Sequence, residues 1–350
     1  MLARDSLIDI ARSYDKILVF GAGGGGDALG AMIVWKRLQR LGANVLLGSV
    51  VWERFIIDPY PGPIPVETLA GAEPIGWTAA LVDGETVALR YGSTLKPQIV
   101  RIAGFLGEKA VFLDLSKGGE GLKNGLNAVM EELGVDALVG VDTGGDILAH
   151  GCEENLWSPL ADAISLYALS EAAGEDGYVV VLAPGADGEL PQEKVLAYTS
   201  MIAAINGLLE VFGLSRDEYK LAHEAETHVY SEASKIPLRA FEGGFGEAKI
   251  RGGTRTVKLN PCTASAYLLE ASKVRSWSPL PELVKGTLGI AQASEELNRH
   301  CIVTELDLEM ELSRLRESGS RRPMSLDQIK SELRTRLFSK GCKPIECPKL

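Results

Sequence analysis

Two glycine loops, each closed by aspartate, hold the strongest chemical signal in the chain. The first is Gly21-Ala22-Gly23-Gly24-Gly25-Gly26-Asp27, between the apolar run Ile17–Phe20 and a helical pattern from Ala28 to Leu41. Glycines let backbone N–H groups approach a ligand without Cβ interference, and the helix N-terminus that follows favours negative charge. The second is Asp142-Thr143-Gly144-Gly145-Asp146, after the apolar run Ala137–Val141, with His150 four residues on. Carboxylates beside an anion cradle suit Mg²⁺, which takes few protein carboxylates and keeps waters and substrate phosphates. Asp27, Asp142 and Asp146 are therefore candidate metal ligands or acid–base groups, and His150 a candidate general acid or base. Gly21, Gly23, Gly24, Gly25, Gly26, Gly144 and Gly145 would hold the anion. The competing reading is plain capping, because a strand-to-helix turn is the normal place for an aspartate that satisfies helix N–H groups.

Other strand ends carry the same kind of residue. Asp114 follows Ala110–Leu113 and leads into the glycine-rich turn Leu115–Gly121, where Lys117 could hold phosphate or carboxylate. Asp187 follows Tyr178–Leu182. Glu53 and Arg54 follow a strand over Asn44–Val51 and join the candidate ligand-binding set. Gly21-x-Gly23-x-x-Gly26 also fits the dinucleotide fingerprint, with Glu53 as the acid for the ribose, so NAD(P) is the alternative cofactor. Asp27, directly after the glycines, would repel a pyrophosphate unless a cation or proton intervened. No Gly-Lys-Ser/Thr follows, so this is not a P-loop.

Several other chemistries find no support. His223 and His228 are five apart, and no His-Glu-x-x-His or Gly-x-Ser-x-Gly occurs. Lys249, Arg251, Arg255 and Lys258 form a basic run amid glycines and read as a solvated strand face, with contact to an anionic ligand as the alternative. The five cysteines form no Cys-x-x-Cys pair, which suits reduced thiols better than a disulfide scaffold.

The elements that must position these residues alternate strand and helix, the signature of βαβ units. We expect an α/β fold: a mainly parallel, doubly wound, Rossmann-like sheet with a helical C-terminal region. The expected organisation is a core over 1–215, a mostly helical region over 216–338 packed on it, and a flexible tail over 339–350. In such a sheet, ligands sit beyond the carboxyl ends of the strands. The proline-rich stretch Trp52–Pro65 reads as an ordered loop or lid there. Ala79–Val82 and Thr86–Leu89 read as a small hairpin or two short strands, and Gln192–Val211 and Thr263–Ser272 as helices. A helix through Ile302–Leu315 is expected to end at Gly319, and Ser325 to cap a last one.

The chain has 350 residues, 46% hydrophobic and 24% charged, enough for a sizeable core. A net charge of −11 argues against general nucleic-acid binding. No run is apolar for long enough to span a bilayer, and no signal-peptide pattern opens the chain. The expectation is a cytoplasmic protein with a small-molecule ligand and no membrane partner.

The two loops, Val51-Trp52-Glu53-Arg54-Phe55 with Asp58-Pro59 and Pro61-Gly62-Pro63, and Ser158-Pro159-Leu160-Ala161-Asp162 together resemble the mostly archaeal family catalogued as domain of unknown function 1152. The resemblance covers most of residues 15–310. It implies no established activity, and it suggests that Trp52–Pro63 belongs to the same site region as the loops.

Three functional readings follow. The first is an Mg²⁺-assisted enzyme acting on a small phosphorylated or nucleotide-like metabolite. The second is an NAD(P)-linked oxidoreductase. The third is a ligand-sensing or scaffold protein without catalysis, a homo-oligomer through its C-terminal helices.

Overall fold

The computed structural model describes residues 5–318 and 325–349. Its strands, in chain order, are β1 (Ile17–Gly21), β2 (Val45–Val50), β3 (Leu69–Ala70), β4 (Glu73–Ile75), β5 (Ala79–Val82), β6 (Val87–Arg90), β7 (Ser93–Leu95), β8 (Ala110–Leu113), β9 (Ala137–Thr143), β10 (Gly177–Leu182), β11 (Leu208–Gly213), β12 (Gly246–Ile250), β13 (Arg255–Leu259) and β14 (Ser265–Glu270). Nine of them form one mixed sheet in the order β11-β14-β10-β9-β1-β2-β8-β5-β4. The five central strands, β10-β9-β1-β2-β8, are parallel, and the flanking strands are antiparallel.

The parallel strands are buried, β2 from its third residue on, as continuous apolar runs such as Ile17-Leu18-Val19-Phe20 require. Successive residues serve opposite faces: Ile17 and Val19 join one hydrophobic core, Leu18 and Phe20 the other. Helices cover both faces. Asp27–Arg40 packs on the first core, while Gly118–Leu133 and Pro159–Ala173 pack on the second. From β1 the chain moves one way to β2 and β8, then returns beside β1 for β9 and β10. The loops after β1 and β9 therefore diverge from adjacent strand ends and leave a crevice between them. Those are the two glycine loops.

Some local expectations fail for identifiable reasons. Gln192–Ala204 is helical, but the chain turns at Asn206, which has φ 60°, and continues as β11. Ser265–Glu270 is β14 and not a helix, because it fills the slot between β10 and β11 with antiparallel pairs to both. Of the two readings for Ala79–Leu89, two short strands hold and the hairpin does not: β5 joins the large sheet beside β8, and β6 joins β3 and β7 in a small sheet.

The C-terminal helices pack on the core, as expected. Thr304 caps Glu305–Glu317 through a capping box with Asp307, and Ser325 caps Leu326–Ser339 in the same way with Gln328. Gly319 lies outside the described residues. Disulfides Cys152–Cys347 and Cys301–Cys342 tie down the tail that was expected to be free. This corrects the reading of the cysteines as reduced thiols: their partners lie 195 and 41 residues away, so local spacing carried no sign of them. Cys262 is the free, exposed cysteine. No helix among the described residues is long and apolar enough to cross a membrane.

Candidate functional site

A cavity of about 700 Å³ opens at the carboxyl ends of β1, β2, β9 and β10. Gly23–Asp27 and Trp52–Ile56 line it, as do Asp142, Thr143 and Asp146 after β9 and Asp187 and Glu189 after β10. Helix Glu305–Glu317 closes one side with Glu305, Leu308, Glu309 and Leu312. The Arg251–Arg255 turn brings two arginines to another side. Ten acidic side chains line the cavity against four basic ones, so the crevice favours whatever neutralises carboxylates, protons or cations.

The acids are arranged at close quarters. Asp142, Asp146 and Asp162 each place a ligand atom within 4.8 Å of the other two, and Asp146, Asp187 and Glu189 do the same. All five are buried. Burial, reinforced by the neighbouring carboxylates, raises Asp142, Asp146 and Asp162 well above the usual carboxylate range. Burial lifts Asp187 to about 6. Glu189 differs: burial pushes it up, but Arg255, the Ser158 hydroxyl and the Trp157 N–H outweigh that and hold it at about 2.

The hydrogen-bond accounts of these acids differ in a telling way. Both carboxylate oxygens of Asp162 lack a partner, and so does Oδ2 of Asp187. Buried polar atoms are nearly always paired, so such orphans leave room for a water, an ion or a ligand. Asp142 Oδ2 accepts from the Ile147 N–H at 3.1 Å, and Asp146 Oδ2 from the Ser158 hydroxyl at 3.3 Å, which leaves each one oxygen to offer. Oxygen donors alone, buried and mutually repelling, fit a hard divalent cation.

Asp27 does something else. Its Oδ2 accepts from the Gly23 N–H at 2.8 Å, and its Oδ1 from the Thr143 N–H at 3.3 Å. It thus ties the first glycine loop to the end of β9. Burial raises it to about 7. Of the expected metal trio Asp27, Asp142 and Asp146, the last two gather with Asp162 at ligating distance, and Asp27 braces the loop beside them.

The glycines make room for carboxylates. A Cβ on Gly23 would lie 2.7 Å from Asp27 Oδ2 and 3.0 Å from Asp162 Oδ1. On Gly25 it would meet the Glu53 carboxylate at 2.6 Å, and on Gly144 it would strike Asp187 Oδ2 at 2.3 Å. Gly23, Gly24, Gly25 and Gly26 line the cavity. Gly21, Gly144 and Gly145 stand behind it: Gly21 lets helix Asp27–Arg40 approach β1, and Gly145 abuts Val195.

Glu53 and Arg54 reach the cavity as expected. Glu53 Oε1 accepts from the Gln98 N–H at 2.8 Å, its Oε2 is unpaired, and burial lifts it to about 7. Arg54 stacks over Trp52 with 4.1 Å to the ring centroid and bonds Glu305 and the Gly23 carbonyl. Glu305 in turn accepts from the Leu160 and Ala161 N–H groups and so caps the helix that carries Asp162. Arg54 and Arg251 both hold left-handed backbone conformations, φ 55° and 54°, a kind of strain that concentrates at functional sites.

Three expected site residues lie elsewhere. His150 sits beyond a 3₁₀ turn, packed between Tyr198 and Trp277, outside the cavity lining, and burial pushes its pKa down. Asp114 spends its carboxylate on the Val66 and Ser116 N–H groups at 3.0 and 2.6 Å. Lys117 pairs with Glu67 on an exposed surface. Their turn follows β8, two strands away from β1, and faces Thr287 and Gly289.

Sequence reasoning missed Asp162, Glu189 and Glu305 as site residues. Asp162 sits in the first turn of a helix opened by Ser158-Pro159, where an acid is ordinary. Glu189 and Glu305 are on segments far apart in the chain, and no local pattern joins them. The basic run also needs correction. Arg255 is not a solvated strand residue: it lines the cavity, contacts Glu189 at 3.3 Å and lies 5.0 Å from the Trp157 ring centroid.

No curated protein and no solved structure matches the chain. Residues 18–313 match the family described as "Protein of unknown function (DUF1152)", and the chain belongs to that family.

Proposed function

We propose that this chain is an enzyme that uses a divalent cation, Mg²⁺ in the simplest case, to act on a small phosphorylated or nucleotide-like metabolite at the carboxyl edge of its sheet. On this reading the sheet is Rossmann-like and doubly wound, with its crevice between β1 and β9. The observation that carries the reading is Asp162. It is a buried carboxylate with no partner on either oxygen, within ligating distance of Asp142 and Asp146 and on the wall of a cavity large enough for a metabolite.

In this account Asp142, Asp146 and Asp162 would hold the cation. When bound, it neutralises the carboxylates and polarises a phosphoryl oxygen. Arg54, Arg251, Arg255 and Lys235 supply the positive charge that an anionic substrate needs elsewhere in the cavity. Trp52, Phe55 and Trp157 give apolar surface for the rest of the molecule. Asp27, with its pKa raised to about 7 by burial, is poised to hold or release a proton near neutral pH.

The test is a thermal-shift panel of nucleotides and sugar phosphates, each with Mg²⁺ and with a chelator. A ligand at a hundredfold excess over its dissociation constant stabilises the fold by about 2.7 kcal/mol. The expected result is a hit that requires Mg²⁺ and is lost in Asp162→Asn. A hit of equal size in chelator and in Asp162→Asn would contradict the reading.

A further inference from the structure

The clustered carboxylates form two trios that share one member. Asp142, Asp146 and Asp162 make the first, and Asp146, Asp187 and Glu189 the second. We propose that the site takes two divalent cations side by side, with Asp146 as the ligand common to both. Asp142 and Asp162 complete one position, and Asp187 and Glu189 the other. This rests on the metal-assisted reading above and goes beyond it in the number of ions, the second set of ligands and the substrate chemistry they select.

Each trio carries its own unpaired oxygen. In the first it is Asp162, 2% exposed, with both oxygens free. In the second it is Asp187, 5% exposed, with Oδ1 on the Glu189 N–H and Oδ2 free. One cation at the first position leaves Asp187 Oδ2 unanswered. Each glycine loop also yields space to one trio: Gly23 lies against Asp162, and Gly144 against Asp187. A side chain at either glycine would occupy the place of a carboxylate, so both loops are shaped around the ligand set.

The two positions are unequal. Glu189 Oε1 already accepts from the Ser158 hydroxyl at 2.7 Å and Arg255 at 3.3 Å, and Oε2 takes the Trp157 and Ser158 N–H groups. A ligand so occupied gives less to a cation, so the second position is the weaker. Arg255 stands at that position, its Nη1 held by Glu189 Oε1 and the Asp187 carbonyl, and it lines the cavity where a substrate oxygen would meet the second ion. Paired cations with an adjacent arginine suit a phosphoryl group that spans both ions. The substrate class is then a phosphate ester or phosphoanhydride.

The experiment is titration of the full chain with Mn²⁺. Free ion is read by electron paramagnetic resonance in solution, and the bound ions by the spectrum of the frozen, saturated sample. The expected result is two Mn²⁺ per chain, the second at least tenfold weaker, with a spectrum broadened by coupling between the ions. Asp187→Asn and Glu189→Gln retain one Mn²⁺ with an uncoupled spectrum. Asp162→Asn loses the tight ion, and Asp146→Asn weakens both. A wild-type stoichiometry of one, with an uncoupled spectrum and no effect of Asp187→Asn or Glu189→Gln, overturns the two-ion site and leaves the single-cation reading standing. Absence of any saturable Mn²⁺ binding overturns both. Circular dichroism in chelator confirms that each variant is folded, and the wild-type count decides the matter even if one variant is not.

Discussion

Asp114 and Asp162 are both buried aspartates at the start of helices on the same face of the sheet, and their environments are opposite. Asp114 accepts two backbone N–H bonds and holds the turn after β8 to the segment before β3. Asp162 accepts none, and stands instead among other carboxylates at the wall of a cavity. The turn at Leu115–Gly121 repeats the composition of the other glycine loops, yet it packs against Thr287 and Gly289 and lies outside the lining of this cavity. A buried aspartate beside the sheet is thus a fold device until its hydrogen bonds are counted. The satisfied one ties two segments together, and the orphan is the one proposed to hold a ligand.

Substitution should separate the two most sharply in stability. Asp114→Ala strips the acceptor from two buried N–H groups and should cost about 2–3 kcal/mol in urea unfolding. Asp162→Asn removes one charge from a mutually repelling set and should leave stability without metal equal or higher. Equal losses in the two variants would erase the distinction. The pH dependence comes next in size. Burial raises Asp27 and Glu53 to about 7 and Asp187 to about 6, above their unfolded values near 4. The folded state then binds more protons than the unfolded one between about pH 4 and pH 7. Stability of the metal-free protein should therefore be greatest on the acid side and fall as pH rises through that window. A calorimetric Tm several degrees lower at pH 8 than at pH 5.5, with the gap narrowed by millimolar Mg²⁺, is the expected outcome; a Tm that climbs with pH in chelator would count against it. Smallest is Lys117→Ala. The Lys117–Glu67 pair is exposed, so its loss should move stability by no more than about 0.5 kcal/mol and ligand binding not at all.

The sequence revealed the location of the site better than its chemistry. Strand and glycine-turn patterns over Ile17–Asp27 and Ala137–Asp146 were enough to put two loops on one edge of a sheet, because local apolar runs and turns dictate both, but that β1 and β9 are neighbours follows only from the strand order. Glu53 and Arg54 were legible for the same reason: they follow a strand of the same sheet. The acidic cluster was not. Asp162 comes from a helix start, Glu189 from beyond β10 and Glu305 from a helix near the chain's end, and tertiary packing alone unites them. The glycines misled in part, since Gly23, Gly25 and Gly144 are small to accommodate carboxylates. His150 misled through proximity in sequence, which the turn at Asp146–Leu148 undoes. β11 and β14 escaped because edge pairing, and not the period of their own residues, makes them strands.

The central claim is that the orphaned carboxylate beside Asp142 and Asp146 is a cation ligand. Isothermal titration of the protein with Mn²⁺ at pH 7.5 tests it directly, with Asp162→Asn and Asp114→Asn alongside. Saturable binding is predicted for the wild type and for Asp114→Asn, with affinity down at least a hundredfold in Asp162→Asn. Unchanged affinity in Asp162→Asn, or no binding by the wild type, would contradict it.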